Sequence, residues 1–203
     1  MSDQKSRPLH IQNEQFARAE VPADAKSVHI EGDTDFALFY QLTEAGFDLA
    51  PSPTEIKNRI EVFREFDNEK GETVTSTPIE SKVDVKLSLR AIDSPVSNVA
   101  IVDMIPAGFE VDISPEGLGS RASGPTDART WRPDFIDVRD DRVVFYGTIG
   151  TDAQTFAYRL KPTNQGTFTV PPLYAEGMYD RRAQASTLGG RFQVGEAPAS
   201  TPP

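Results

Sequence analysis

Val83-Asp84-Val85-Lys86-Leu87-Ser88-Leu89-Arg90 alternates apolar with polar residues along its whole length. Successive side chains of a β-strand point to opposite faces, so this stretch has one oily face and one wet face, as a half-buried antiparallel strand does. Working outward, the same reading predicts strands at 28–31, 37–42, 59–66, 98–103, 109–113, 135–138, 142–149, 154–161, 167–170, 173–176 and 191–194. Turn chemistry separates them. Asn68-Glu69-Lys70-Gly71 and Asn164-Gln165-Gly166 put glycine where a reversal needs a left-handed residue, and Asp140-Asp141 marks a third reversal. Short, closely spaced strands with almost no 3.6-residue pattern predict an all-β, antiparallel, two-sheet sandwich. Only 14–20 and 54–59 are expected to form single helical turns. The stretch 114–133, rich in Gly, Ser, Pro and Asp, is read as a long exposed loop pinned near its end by the lone Trp131.

With 203 residues the chain suffices for one large domain, or one domain and part of a second. The first 22 residues and the tail 196–203 are polar or small, and are expected to be flexible ends. A formal charge of −10 repels phosphate backbones and anionic lipid surfaces, so neither nucleic acid nor a membrane is an expected partner. No apolar run approaches the ~20 residues that span a bilayer. Residues 1–7 are charged and do not read as a signal peptide or lipoprotein leader, which leaves a cytoplasmic protein or a fragment of a longer exported chain. The absence of cysteine removes disulfides, thiolate nucleophiles and Cys-based zinc sites from this chain.

The search for chemistry gives little. There are two histidines, His10 and His29, and neither accompanies a nucleophile motif. Gly117-Leu118-Gly119 precedes no helical pattern, so loop flexibility accounts for it better than phosphate binding. Asp134, Asp137, Asp140 and Asp141 form the densest acidic cluster, open to two readings: a calcium site, or a hairpin turn with solvated faces neutralised by Arg132, Arg139 and Arg142. The spacing favours the hairpin. Glu61 and Glu65, with Arg64 beside them, have the look of a catalytic carboxylate pair, yet an alternating strand produces that spacing without function. No cofactor and no reaction are nominated.

Several stretches, in order, resemble the C-terminal macroglobulin-like region of bacterial alpha-2-macroglobulins. They are Leu38-Phe39-Tyr40-Gln41-Leu42-Thr43-Glu44-Ala45-Gly46-Phe47, Ile60-Glu61-Val62-Phe63-Arg64-Glu65-Phe66-Asp67, and Asn98-Val99-Ala100-Ile101-Val102-Asp103-Met104-Ile105-Pro106-Ala107-Gly108-Phe109-Glu110. Asp137-Val138-Arg139-Asp140-Asp141-Arg142-Val143-Val144-Phe145-Tyr146-Gly147, Gly166-Thr167-Phe168-Thr169-Val170-Pro171-Pro172 and Ala175-Glu176-Gly177-Met178-Tyr179-Asp180 continue the likeness. Met104, Ile105 and Ala107 depart from the family's usual Leu-Leu-Pro-Gly-Gly. Read on its own, the 98–110 segment is a strand, a corner at Pro106, a turn permitted by Gly108 and a strand restarting at Phe109.

The resemblance implies a macroglobulin-like sandwich of Ig-like or fibronectin-like type over 54–195, with 23–53 completing a preceding CUB-like domain or packing on the sandwich. It implies a non-catalytic module of a protease-trapping inhibitor, periplasmic and anchored to the inner membrane as a lipoprotein. Its partners would be other domains of the parent chain and, through the parent, host or competitor proteases. In thioester-bearing relatives a Met-Tyr pair of this domain faces the thioester, and Met178 and Tyr179 match it. The alternative for the pair is ordinary edge or core packing. For the whole chain the alternatives are an Ig-like structural or adhesive module of a surface protein, or a calcium-dependent or hydrolytic domain using the 134–141 cluster.

Overall fold

The computed structural model describes residues 18–22, 25–29, 39–43, 53–118 and 129–196. The chain divides into two compact units, Met1–Phe47 and Asp48–Pro203. In the first, the Ala25 amide donates to the Pro22 carbonyl at 2.9 Å, closing a turn. The strands expected at 28–31 and 37–42 fall partly outside the described residues. Where they are described, at Val28–His29 and Phe39–Leu42, the backbone enters no ladder, and Phe39 and Tyr40 are exposed. Alternation makes a strand only where a neighbouring strand accepts and donates the backbone hydrogen bonds.

In the second unit thirteen strands and no helix form among the described residues. They are β1 (Ile56–Asn58), β2 (Ile60–Asp67), β3 (Ser76–Pro78), β4 (Val83–Ala91), β5 (Val96–Met104), β6 (Phe109–Val111), β7 (Phe135–Val138), β8 (Arg142–Ile149), β9 (Gln154–Pro162), β10 (Gly166–Val170), β11 (Tyr174–Gly177), β12 (Gln184–Ser186) and β13 (Gly190–Gly195). A six-stranded sheet runs β1-β12-β11-β5-β8-β7, a four-stranded sheet β2-β4-β9-β6, and a three-stranded sheet β10-β13-β3. All pairings are antiparallel except β3 with β13.

The core lies between the inner faces. Alternation buries Val83, Val85, Leu87, Leu89 and Ala91 from β4, facing Val99 and Ile101 from β5 and Val143, Phe145 and Ile149 from β8 in one continuous cluster. Aromatic rings interlock within it: Phe145 lies 5.0 Å from Phe156 and 5.5 Å from Tyr158, while Phe192 lies 5.3 Å from Phe66 and 5.4 Å from Phe109. Edge-to-face contacts of this kind add to what area burial alone contributes.

The expected helical turn at 54–59 is instead β1, paired with β12 over three residues. Its last neighbour Arg59 takes φ 63 and swings the chain from the six-stranded into the four-stranded sheet. The Asn68–Gly71 turn closes a short hairpin, with Gly71 at φ 79, Thr73 bridging Asp67 and the Val74 amide donating to the Phe66 carbonyl at 2.7 Å, before the chain leaves β2 and β3 pairs with β13 in another sheet. Asn164–Gly166 likewise passes from β9 to β10 in another sheet. The Asp140-Asp141 reversal is a hairpin, joining β7 to β8 with the Arg139 amide donating to the Arg142 carbonyl at 2.9 Å. Gly108 needs no left-handed backbone; what excludes a side chain there is the ring of Phe168, 2.2 Å from where a Cβ would stand.

Both described ends of the long loop are tied to β9. Leu118 bridges Tyr158 and Thr130 bridges Thr155. Trp131 is buried, its Nε1 donating to the Thr148 carbonyl at 2.8 Å, which is the pin expected of it. Residues 119–128 of that loop lie outside the described residues.

Candidate functional site

The β11–β12 hairpin carries Met178 and Tyr179 on its turn, at one end of the six-stranded sheet. The turn closes tightly: the Gly177 amide donates to the Ala183 carbonyl at 2.8 Å and the Ala183 amide to the Asp180 carbonyl at 2.9 Å. A Cβ on Gly177 would lie 2.9 Å from that Asp180 carbonyl oxygen and 3.1 Å from the Ala183 Cβ, so the closure depends on glycine. The Met178 amide donates to the Asn98 carbonyl at 2.9 Å, tying the turn to β5.

Asp180 is the electrostatic anchor of the turn. Its carboxylate accepts from the backbone and side chain of Arg182, both at 3.1 Å, and forms an ion pair with Arg59. The Arg182 hydrogen bond, with help from its amide and both arginine charges, holds the Asp180 carboxyl below its ordinary value. The neighbouring apolar side chains point away from this polar base: Met178 is 50% and Tyr179 84% exposed. An exposed thioether and phenol ring on a braced turn can cover another surface and exclude water from it. Of the alternative reading, edge or core packing, this exposure removes the core and leaves the edge.

Four of the other candidate carboxylates, Glu61, Glu65, Asp137 and Asp141, are taken up by separate arginine or lysine partners. Glu61 and Glu65 face outward on β2 and pair with Arg90 and Lys86, their partners in register on β4, whereas Arg64 points inward. Asp137 pairs with Arg139 at 2.8 Å, and Asp141 with the next residue, Arg142, at the end of the hairpin turn. Among the described residues no group of three or more His, Cys, Asp or Glu side chains is placed to hold a metal ion.

Sequence reasoning missed a buried polar cluster. Arg64 of β2 donates to Asp103 of β5 and to the Pro171 carbonyl, and the Tyr158 hydroxyl of β9 donates to the other Asp103 oxygen at 2.7 Å. The Arg64 and Asp103 side chains are 5% and 1% exposed. Burial pushes the Asp103 carboxyl up against the opposing pull of Arg64 and Tyr158, and burial raises the Tyr158 hydroxyl as well. The signal was present: Asp103 shares its parity with Val99 and Ile101, so it had to point inward. The cluster links the four-stranded sheet to the six-stranded one and leaves no buried side-chain polar atom unpartnered among the described residues.

The six- and four-stranded sheets packed on one core, with the three-stranded sheet beside them, form a β-sandwich of macroglobulin-like type. Residues 60–181 match the family model described as the bacterial alpha-2-macroglobulin MG10 domain, and the chain belongs to that family. An alpha-2-macroglobulin homolog of Yersinia pestis is 36% identical over 191 residues, covering 86% of this chain and 10% of that protein. The structure of native Escherichia coli alpha-2-macroglobulin aligns with a TM-score of 0.63 at 22% identity, over 73% of this chain and 10% of the other. Salmonella alpha-2-macroglobulin reacted with methylamine aligns with a TM-score of 0.61 at 21% identity, over the same shares of each chain. The chain thus spans about a tenth of the length of the relatives it matches.

Proposed function

We propose that this domain is a non-catalytic module of a protease-trapping alpha-2-macroglobulin and that Met178 and Tyr179 are its contact to a neighbouring domain, where they shield a Cys-Gln thioester. The observation that carries this is a Tyr179 ring 84% exposed on a turn fixed by two arginines and a β5 carbonyl. An isolated protein gains nothing by holding a large ring in water so firmly, whereas a docking surface does. The Salmonella relative was crystallised after reaction with methylamine, and a small amine is the reagent an unshielded acyl group would meet. Since this chain has no cysteine, the thioester would reside elsewhere in the parent.

On this reading 54–195 is the macroglobulin-like sandwich, and 23–53 supplies strands to a preceding CUB-like domain. The exposed Phe39, Tyr40 and Leu42 would find their ladder there. The parent would work in the periplasm, held to the inner membrane as a lipoprotein, with host or competitor proteases as its targets.

The test uses the parent protein with Tyr179→Gly and Met178→Ser. Removing the ring gives up ~1.5–3 kcal/mol of buried apolar contact, so thiol release by methylamine should accelerate roughly ten- to a hundredfold. An unchanged rate in both variants would refute the shielding role.

A further inference from the structure

We propose that Arg59 and Asn98 are positioning residues, a two-point latch that fixes the 178–183 turn and with it the aim of Met178 and Tyr179. This rests on the reading of that pair as a contact surface, and adds which residues control it.

Among the described residues, Arg59 and Asn98 are the non-glycine residues with left-handed backbone, at φ 63 and φ 53. Side chains oppose that conformation, and it persists where the surroundings over-determine it. Arg59, between β1 and β2, and Asn98, within β5, are far apart in sequence, yet both grip the same turn. Arg59 reaches Asp180 through its guanidinium and bridges Gln184 at the foot of β12. Asn98 sits in the β5 bulge between Val96 and Val99 and presents its carbonyl to the Met178 amide. In each case the unusual φ is what aims the group: it turns the chain at Arg59 between two sheets, and it rotates the Asn98 carbonyl out of register with β8. The Ile92 amide holds the Arg59 carbonyl at 2.9 Å, and Ser94 lies within reach of the same guanidinium at 3.4 Å.

Native-state hydrogen exchange on this chain tests the latch. Arg59→Gly keeps the left-handed corner but removes the ion pair. The amides of Gly177, Met178 and Ala183 should then exchange about tenfold faster, while those of Val85 and Phe145 hold their rates. Arg59→Lys should restore part of the protection. Asn98→Gly should leave the turn as protected as before, because glycine accepts this φ, and Asn98→Val should expose the Met178 amide. If Arg59→Gly does not fold, Asp180→Asn reads the same contact. Rates at the three turn amides staying within about twofold in Arg59→Gly, or in Asp180→Asn where that is the variant read, would overturn the proposal. The readout is independent of thioester lifetime, so a turn that loosens in a parent whose thioester is unaffected overturns the shielding role and leaves the latch standing.

Discussion

Asp103 is an acid on the apolar side of its strand, and its cost is contained because Arg64 and Tyr158 fill both carboxylate oxygens. Buried pairs of this kind are costly to break and cheap to replace. Asp103→Ala should therefore lose ~3–5 kcal/mol in denaturant unfolding, since it strands the Arg64 charge. The triple change Arg64→Met, Asp103→Leu and Tyr158→Phe should come within ~1 kcal/mol of the natural chain or exceed it. Equal losses for the single and the triple variant would contradict this account. Asp112 behaves oppositely with pH. Lys161 at 2.9 Å, then the Ser114 side chain, and to a lesser degree the Ser114 amide at 3.2 Å, draw its pKa down from 3.8 to about 2. The lowered value means the folded state binds this proton less readily than the unfolded chain. Its contribution is thus complete above pH ~4–5 and fades as acid carries the pH from 3.8 toward 2. In Asp112→Asn, the acid limb of the unfolding curve should flatten across that window; an unaltered limb would argue against the Lys161 contact.

Among the elements, those of four residues or more were legible, because alternation needs several positions to declare itself, and the three-residue β6 was reached through the corner at Pro106 and the restart at Phe109. β4 read directly from 83–90, and β8, β9 and β13 followed. β1, β3 and β12 have three residues each and show no period of their own; their partners' backbones recruit them. Turns were legible as turns, but where the chain went next was not. Beyond Asn68–Gly71 and at Asn164–Gly166 the chain crosses between sheets, a consequence of packing that local chemistry does not encode. Of the proposed contact, Met178 and Tyr179 came from family likeness alone, whereas Arg59 and Asn98 were invisible because nothing in their side chains announces a left-handed backbone. Gly108 carries a prediction at this scale. An alanine there must push the Phe168 ring from its place against Phe109, so Gly108→Ala should cost ~1–3 kcal/mol. Pairing it with Phe168→Leu should recover part of the loss, and a double variant no better than the single one would count against the clash.

Across the whole molecule the two outer faces differ. The four-stranded sheet wears the Glu61–Arg90, Glu65–Lys86 and Asp84–Arg159 pairs, while the six-stranded sheet carries Phe135 and Tyr146 with ring centres 6.1 Å apart. The six-stranded sheet has ion pairs too, Asp137–Arg139 and Asp141–Arg142 at its β7–β8 end, and the hairpin arm with Met178 and Tyr179 extends from that sheet. Because that arm stands outside the core, Tyr179→Ser should shift unfolding stability by no more than ~0.5 kcal/mol. A drop beyond ~1.5 kcal/mol in calorimetry would make the ring a structural member rather than a contact.

The bridges of Leu118 and Thr130 to β9 return the chain to points only three residues apart, at Tyr158 and Thr155. The entropy of closing a loop grows slowly with its length, so a foreign peptide could be spliced between those two anchors without disturbing the sandwich. The domain is in that sense a ready scaffold for displaying epitopes.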